Sequence, residues 1–161
     1  MTDPPALTDD ELSVWRSFYA MRRTLDRALD LQLQRDSSLS ASEYEVLLAI
    51  NVAPERRLRV KEIAATIGWE KSRVSHLVTR MEKRELVDRT ECDSDARGTW
   101  IGLTPEGRRA VLGGLRGHSA AIRRYFLDVL DSDEGERLTA LSARVIEAIG
   151  CGADEDLVQA Q

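Results

Sequence analysis

The sequence predicts a mainly α-helical chain with one short β-hairpin. Apolar residues recur at three- and four-residue spacing through most of the 161 residues. That spacing gives way to two short strand-like runs, residues 86–91 and 99–103, on either side of a polar turn segment. Apolar residues make up 42% of the chain, enough for a hydrophobic core. No apolar run approaches the roughly 18 residues that span a membrane, so we expect no membrane association.

Two capping boxes mark helix starts in the first third of the chain. Thr8 with Glu11, and Ser40 with Glu43, each place a hydroxyl three residues before a glutamate. The first predicts a long helix, and the second a shorter helix that stops before Pro54. Because the long helix is apolar on more than one side, we expect a partner subunit to cover part of it.

Two short helices should follow, joined at Gly68, which suits the left-handed position after a helix end. The second of them, over residues 71–84, is apolar on one face and polar and basic on the other. Beyond the hairpin, Thr104 followed by Pro105 predicts a further helix start. Asp131 predicts the cap of a final helix, which we expect to end at residues 150–152, leaving residues 151–161 as a disordered tail.

The charge of the chain is unevenly distributed. The formal net charge is −5, yet residues 56–89 contain ten basic and five acidic side chains. A basic segment in an acidic protein predicts a phosphate-binding face.

The elements between residues 40 and 104 follow the plan of a winged helix-turn-helix DNA-binding domain. An α-helix fills the major groove, so a helix that reads bases is apolar behind and polar in front. Residues 71–84 meet that requirement. We expect base contacts from Ser72, Arg73, Ser75, His76 and Thr79. We expect phosphate contacts from Lys71, Arg80, Lys83, Arg84 and Arg89.

At these residues the chain resembles the MarR family of bacterial regulators over nearly its whole length. The resemblance is carried by Leu47-Leu48-Ala49-Ile50, Ile63-Ala64, Ser72-Arg73-Val74-Ser75, Leu77-Val78, Arg80-Met81-Glu82 and Leu86-Val87. Its most specific part is the pattern D-x-R followed by L-T-x-x-G, here Asp95, Arg97, Leu103, Thr104 and Gly107. Family members often cap the third and fourth helices with Ser or Thr; this chain has Arg59 and Glu70 near those positions.

The resemblance implies a homodimer built from a helical region, residues 8–38 and 104–150, that carries a winged domain, residues 39–103. It implies a pseudo-palindromic double-stranded operator, with Arg97 in the minor groove and Asp95 orienting its guanidinium. It also implies a repressor relieved by a small molecule, without a metal or other cofactor. Candidate pocket residues are Trp15, Tyr19, Arg22, Tyr44, Trp69 and His118.

Three other functions fit the residues less well. An enzyme would rest on Cys92 with His76 or His118, without an orienting acid, and the histidines lack metal-ligand spacing. A redox-responsive regulator would use Cys92, although peroxide-sensing relatives carry their cysteine near the start of the first helix. A winged helix used only for protein contacts would not need the basic face. Cys92 and Cys151 form no CxxC pair and the N-terminus lacks signal-peptide features, so we expect a cytoplasmic protein.

Overall fold

The computed structural model describes residues 6–91 and 99–159. Within these ranges the helices are α1 (Asp9–Ser37), α2 (Ala41–Val52), α3 (Val60–Ile67), α4 (Lys71–Lys83), α5 (Pro105–Tyr125) and α6 (Ser132–Gln159). The strands are β1 (Arg57–Arg59), β2 (Val87–Glu91) and β3 (Thr99–Leu103), and a 3-10 turn covers Leu127–Val129. The predicted fold class, mainly α-helical with a small β-hairpin, is confirmed. None of the described helices has the length and apolar character that crossing a membrane requires.

The predicted capping boxes are present. The backbone N–H of Thr8 donates to the Glu11 carboxylate at 2.8 Å, and the Glu11 N–H donates back to the Thr8 hydroxyl at 3.3 Å. Ser40 and Glu43 exchange the same pair of bonds, at 2.9 and 3.3 Å. Gly68 ends α3 in the left-handed region, with a φ of 67°. These local signals therefore fix where α1 and α2 begin and where α3 ends.

The sheet has a third strand that the sequence did not lead us to expect. Its order is β1-β3-β2, antiparallel throughout, with Leu58 of β1 opposite Ile101 of β3. Ile101 is fully buried. A three-residue strand with arginines at both ends shows too little alternation to be distinguished from a loop.

The final helix begins where it was predicted but continues further. The Glu134 N–H donates to the Asp131 carboxylate at 2.8 Å, which is the expected cap. The helix then runs to Gln159, beyond Gly150 and Gly152, where we expected it to end. A glycine within a helix costs about 1 kcal/mol relative to alanine, which weakens a helix without stopping it.

The chain divides into two compact units, Met1–Ala121 and Ile122–Gln161. The predicted division into a helical region and a winged domain remains a prediction, whereas residues 151–159, which we expected in a disordered tail, continue α6. The core of the first unit joins the end of α1 to α2, α3, α4, the sheet and α5. Its largest fully buried side chains are Leu33, Leu39, Val46, Leu47, Ile50, Ile63, Val74, Val78, Met81, Val87, Ile101 and Val111.

The first turn of α5 lies against the chain that leaves α4. The Thr104 hydroxyl donates to the carbonyl of Glu85 at 2.5 Å and accepts the N–H of Gly107 at 3.0 Å. The Thr104 N–H donates to the carbonyl of Leu86 at 3.3 Å. A Cβ on Gly107 would overlap that Leu86 carbonyl oxygen. The L-T-x-x-G pattern thus corresponds to a helix cap and a backbone contact that only glycine permits.

The substitution Gly107→Ala should destabilise the protein, because the added methyl group forces α5 and the Leu86 backbone apart. We expect the free energy of unfolding in urea titrations to fall by about 3 kcal/mol. Gly113→Ala is the matched control, since Gly113 is exposed on the same helix with no atom near its Cβ direction. It should gain about 0.5–1 kcal/mol. Equal effects of the two substitutions would contradict this account.

Candidate nucleic-acid interface

Helix α4 has a buried apolar face and an exposed polar face. Val74, Val78 and Met81 are fully buried on the inner face. Of the residues predicted to contact bases, four are exposed and one is half-buried; the exposed ones are Ser72, Arg73, His76 and Thr79, and the half-buried one is Ser75. The predicted phosphate contacts Lys71, Arg80 and Lys83 are also exposed. The inner face anchors α4, and the outer face is available for contacts with another molecule.

Arg73 is held by a neighbouring aromatic ring. Its guanidinium carbon lies 3.5 Å from the centre of the Trp69 ring, in a cation–π stack. Trp69 itself is half-buried and packs on the core of the first unit. Glu70, the residue before α4, makes no side-chain cap to the helix. The unusual Trp69-Glu70 pair therefore replaces a helix cap with a platform for Arg73.

Arg84 is engaged within the protein. Its guanidinium lies 2.6 Å from the Glu43 carboxylate and donates to the carbonyl of Ser38 at 2.8 Å. Ser38 is the left-handed residue that ends α1, with a φ of 56°. Arg84 therefore joins the end of α4 to the junction of α1 and α2, and we do not include it among the proposed phosphate contacts.

Glu43 is the buried half of that ion pair, with 3% of its surface exposed. Burial by itself would raise the pKa of Glu43, but hydrogen bonds from the Ser40 backbone and from Arg84 outweigh it. The resulting pKa of Glu43 lies below its usual value. The carboxylate is thus charged in the folded protein and stabilised by its partners.

Arg89 connects the sheet to α4. Its Nε lies 3.0 Å from the Glu82 carboxylate, and its Nη2 donates to the Thr79 hydroxyl at 3.1 Å. The Thr79 hydroxyl in turn donates to the carbonyl of Ser75 at 3.0 Å. Both Arg89 and the Thr79 hydroxyl are therefore held in contacts that orient α4 against β2. A contact of either group with DNA would have to share or replace these bonds.

A basic and aromatic cluster on the sheet was missed by the sequence reasoning. The guanidinium carbons of Arg57 and Arg59 lie 4.9 and 5.1 Å from the centre of the Trp100 ring. Arg57 also pairs with Glu55 at 2.7 Å. The available signal was the i, i+2 spacing of the two arginines, which places them on one face of a strand. It was missed because β1 itself was not predicted.

The wing tip lies outside the described residues. It includes Asp95 and Arg97, predicted for the minor groove, and also Cys92. The roles of all three remain predictions.

The six candidate pocket residues fall into three separate places. Tyr44 and His118 line an open cavity of about 690 Å³. Trp15 and Tyr19 lie together on the surface of α1, with ring centres 6.0 Å apart, and Arg22 lies 5.8 Å from the Tyr19 ring. Trp69 supports Arg73. The structure thus brings only one pair of the six to the cavity.

The cavity is formed by α1, α2 and one residue of α5. Its apolar lining consists of Leu29, Leu33, Ala41 and Leu48. Its charged lining consists of Asp26, Arg27, Asp30 and Glu45. The rings of Tyr44 and His118 lie 4.8 Å apart at 55° to each other. An apolar cavity with a few polar groups is the usual form of a small-molecule site.

Among the described residues no group of three or more His, Cys, Asp or Glu side chains is placed to hold a metal ion.

Comparison with known proteins identifies the family. The sequence profile of the MarR family matches residues 37–98. Sco3205, a MarR family transcriptional regulator from Streptomyces coelicolor whose crystal structure is in complex with DNA, is 36% identical, with 92% of each chain covered and a TM-score of 0.84. The chain belongs to the MarR family.

Two further relatives agree with this assignment. AbsC, a MarR family regulator from Streptomyces coelicolor, is 32% identical, with 90% of this chain and 97% of AbsC covered and a TM-score of 0.83. The HTH-type transcriptional regulator SarZ of Staphylococcus saprophyticus is 32% identical over 74 residues, which are 46% of this chain. That match spans about half of SarZ, 49% of its length. These relatives are transcription regulators, not enzymes.

The substitution Glu43→Gln should destabilise the fold at neutral pH, because Arg84 and the Ser40 N–H lose a charged partner. We expect the free energy of unfolding to fall by about 1–3 kcal/mol at pH 7. Since folding lowers the pKa of Glu43, its contribution is present above the usual carboxyl pKa and is lost as the pH falls through the lowered value. The free energies of unfolding of the parent protein and the variant should therefore become equal in acid. Glu55→Gln, at an exposed carboxylate, is the control and should change little at any pH.

Proposed function

We propose that this MarR family chain is a sequence-specific DNA-binding transcription regulator whose α4 enters the major groove. The carrying observation is the exposed polar face of α4 opposite a fully buried apolar face. Because its buried face fixes α4 on the domain, the exposed N-terminal half of the helix can contact base edges in the major groove. The similarity to Sco3205, whose structure is in complex with DNA, supports the same use here.

The base-reading set that we propose is centred on Ser72, Arg73 and His76. Serine hydroxyls and the histidine ring both donate and accept hydrogen bonds, and an arginine fork pairs with guanine. Ser75 and Thr79 complete the set as short side chains along the same face. Around it, the proposed phosphate contacts are Lys71, Arg80, Lys83 and Arg89, with Asp95 and Arg97 acting at the minor groove.

The proposed operator-binding form is a homodimer. In the first unit, α1 exposes Val14, Trp15 and Phe18 to 72%, 55% and 45%. In the second unit, α6 exposes Ile146 and Ile149 to 70% and 68%. Groups of exposed apolar side chains along a helix are typical of protein interfaces. A two-fold dimer presents two equivalent α4 helices, which is why we propose a pseudo-palindromic operator.

We further propose that the regulator is a repressor in the cytoplasm, relieved by a small molecule in the cavity of Tyr44 and His118. The volume of about 690 Å³ and the apolar lining support a ligand of ordinary metabolite size. Such a ligand changes DNA binding only if its affinity differs between two arrangements of the dimer that place the two α4 helices at different distances from each other. We infer no catalytic activity, and no observation on the described residues favours a cysteine-based response or a protein-only role.

Operator binding tests this proposal. Genomic fragments retained by the protein are sequenced, and affinity is measured by fluorescence anisotropy on the selected site and on a scrambled duplex. Arg73→Ala should cost about 1–3 kcal/mol on the selected site and relax its specificity, whereas Arg80→Ala should weaken both duplexes equally. Arg80→Ala should also reduce the salt slope by about one. Absence of any enriched site, or indistinguishable behaviour of the two variants, would reject the assignment.

Valine-to-lysine substitutions at two exposed positions, one inside the proposed interface and one outside it, test the dimer. Val14→Lys on α1 puts a charge into the proposed interface twice, once from each protomer. We expect it to raise the dimer dissociation constant by at least about tenfold, because a buried valine contributes about 1.5 kcal/mol or more. Val52→Lys on α2 is equally exposed, at 69%, and should leave the dimer intact. Light scattering across a concentration series measures both, and a monomeric parent protein would refute the proposal.

A further inference from the structure

The electrostatic character of the cavity points to a particular class of ligand. Three carboxylates and one guanidinium line it, those of Asp26, Asp30, Glu45 and Arg27. The lining therefore carries more negative than positive charge, and an anionic ligand would meet repulsion from most of its charged groups.

The carboxylates differ in how firmly they are held. Asp30 accepts the Ala41 N–H at 2.7 Å and the Gln34 side-chain amide at 2.5 Å, which fix its orientation. Asp26 lies 3.8 Å from Arg22, at ion-pair distance. Within the described chain, no hydrogen bond or ion pair occupies the Glu45 carboxylate. Burial raises the pKa of Glu45, and the nearby charge of Arg73 offsets part of that rise. Glu45 is thus the carboxylate with the most capacity left for a ligand.

The aromatic side of the cavity is uncharged. The Nδ1 of His118 lies 3.1 Å from the Gln32 side-chain oxygen, while the Gln32 amide group donates to Asp36 at 2.8 Å. The oxygen of Gln32 is therefore the acceptor, and Nδ1 of His118 carries the proton. Burial lowers the pKa of His118, so the ring is neutral at pH 7 and adds no positive charge. Neutral rings beside carboxylates favour a cation.

We propose that this cavity binds an amphiphilic organic cation, a protonated amine attached to an apolar or aromatic body. Glu45 and Asp26 attract the ammonium group, and Leu29, Leu33 and Leu48 cover the apolar body. The inference shares its location with the ligand cavity of the proposed function and adds the charge of the ligand. It differs from the phenolic or carboxylate ligands that a basic pocket would select.

Three naphthalene probes of similar size and different charge test the proposal: 2-naphthylmethylamine, 2-naphthalenemethanol and 2-naphthoate. Binding to the DNA-free protein is measured by calorimetry at pH 7. The amine should bind about fivefold or more tightly than the alcohol, and the carboxylate should bind most weakly. Equal affinities, preference for the carboxylate, or no binding of the amine would overturn the proposal.

Substitution of Glu45 locates the effect. Glu45→Gln should reduce the preference for the amine over the alcohol while leaving the affinity of the alcohol unchanged. Glu55→Gln, an exposed carboxylate outside the cavity lining, should preserve the preference. A preference that survives Glu45→Gln unchanged would remove the site from this cavity. Operator binding is measured on the same samples. If the amine is not preferred but the operator is bound, the cation proposal fails and the proposed function stands. If the amine is preferred but no operator is bound, the proposed function fails and the cation proposal stands.

Discussion

The first turn of α5 lies so close to the chain leaving α4 that only a residue without a side chain fits between them. Gly107 provides that space, and the Thr104 hydroxyl bridges the two elements by accepting from one and donating to the other. At the same end of α4, Arg84 reaches Glu43 and the end of α1. The C-terminal end of α4 is therefore fixed to α1, α2 and α5 at once. Because protein interiors are packed as densely as crystals, a shift of any of these helices is passed on to α4.

Much of the fold was predictable because its boundaries are set by short-range chemistry. The hydroxyl–glutamate pairs at Thr8 and Ser40, and the left-handed Gly68, act within three or four residues of themselves and are legible in the sequence. Strand β1 was not predictable, since it exists only through its pairing with β3, more than 40 residues away. The end of α6 was misplaced because of a local signal: Gly150 and Gly152 were given more weight than the energetic cost of a helical glycine justifies.

The exposed face of the candidate site was predictable from the sequence, but the contacts that its residues make within the protein were less so. Alternation between apolar and polar positions correctly separated the two sides of α4. The engagement of Arg84 by Glu43 depends on residues 41 positions apart, and sequence spacing carries no information about it. The pocket prediction gathered five aromatic residues and Arg22 by residue type. Of these six, Tyr44 and His118 alone share the cavity, because α1, α2 and α5 meet there. Composition identifies candidate residues, and only tertiary packing groups them.

The stack of Arg73 on Trp69 has a consequence for how a target sequence is tolerated. A free arginine side chain loses about 2 kcal/mol of rotamer entropy when it is immobilised. Here the ring restricts Arg73 before any partner arrives, so part of that loss belongs to folding and not to association. A restrained guanidinium is also less able to move to a hydrogen-bond acceptor in a different position. Under the proposed base contact of Arg73, the two positions act as one unit, and a descendant of this chain with a different target would be expected to change both residues together.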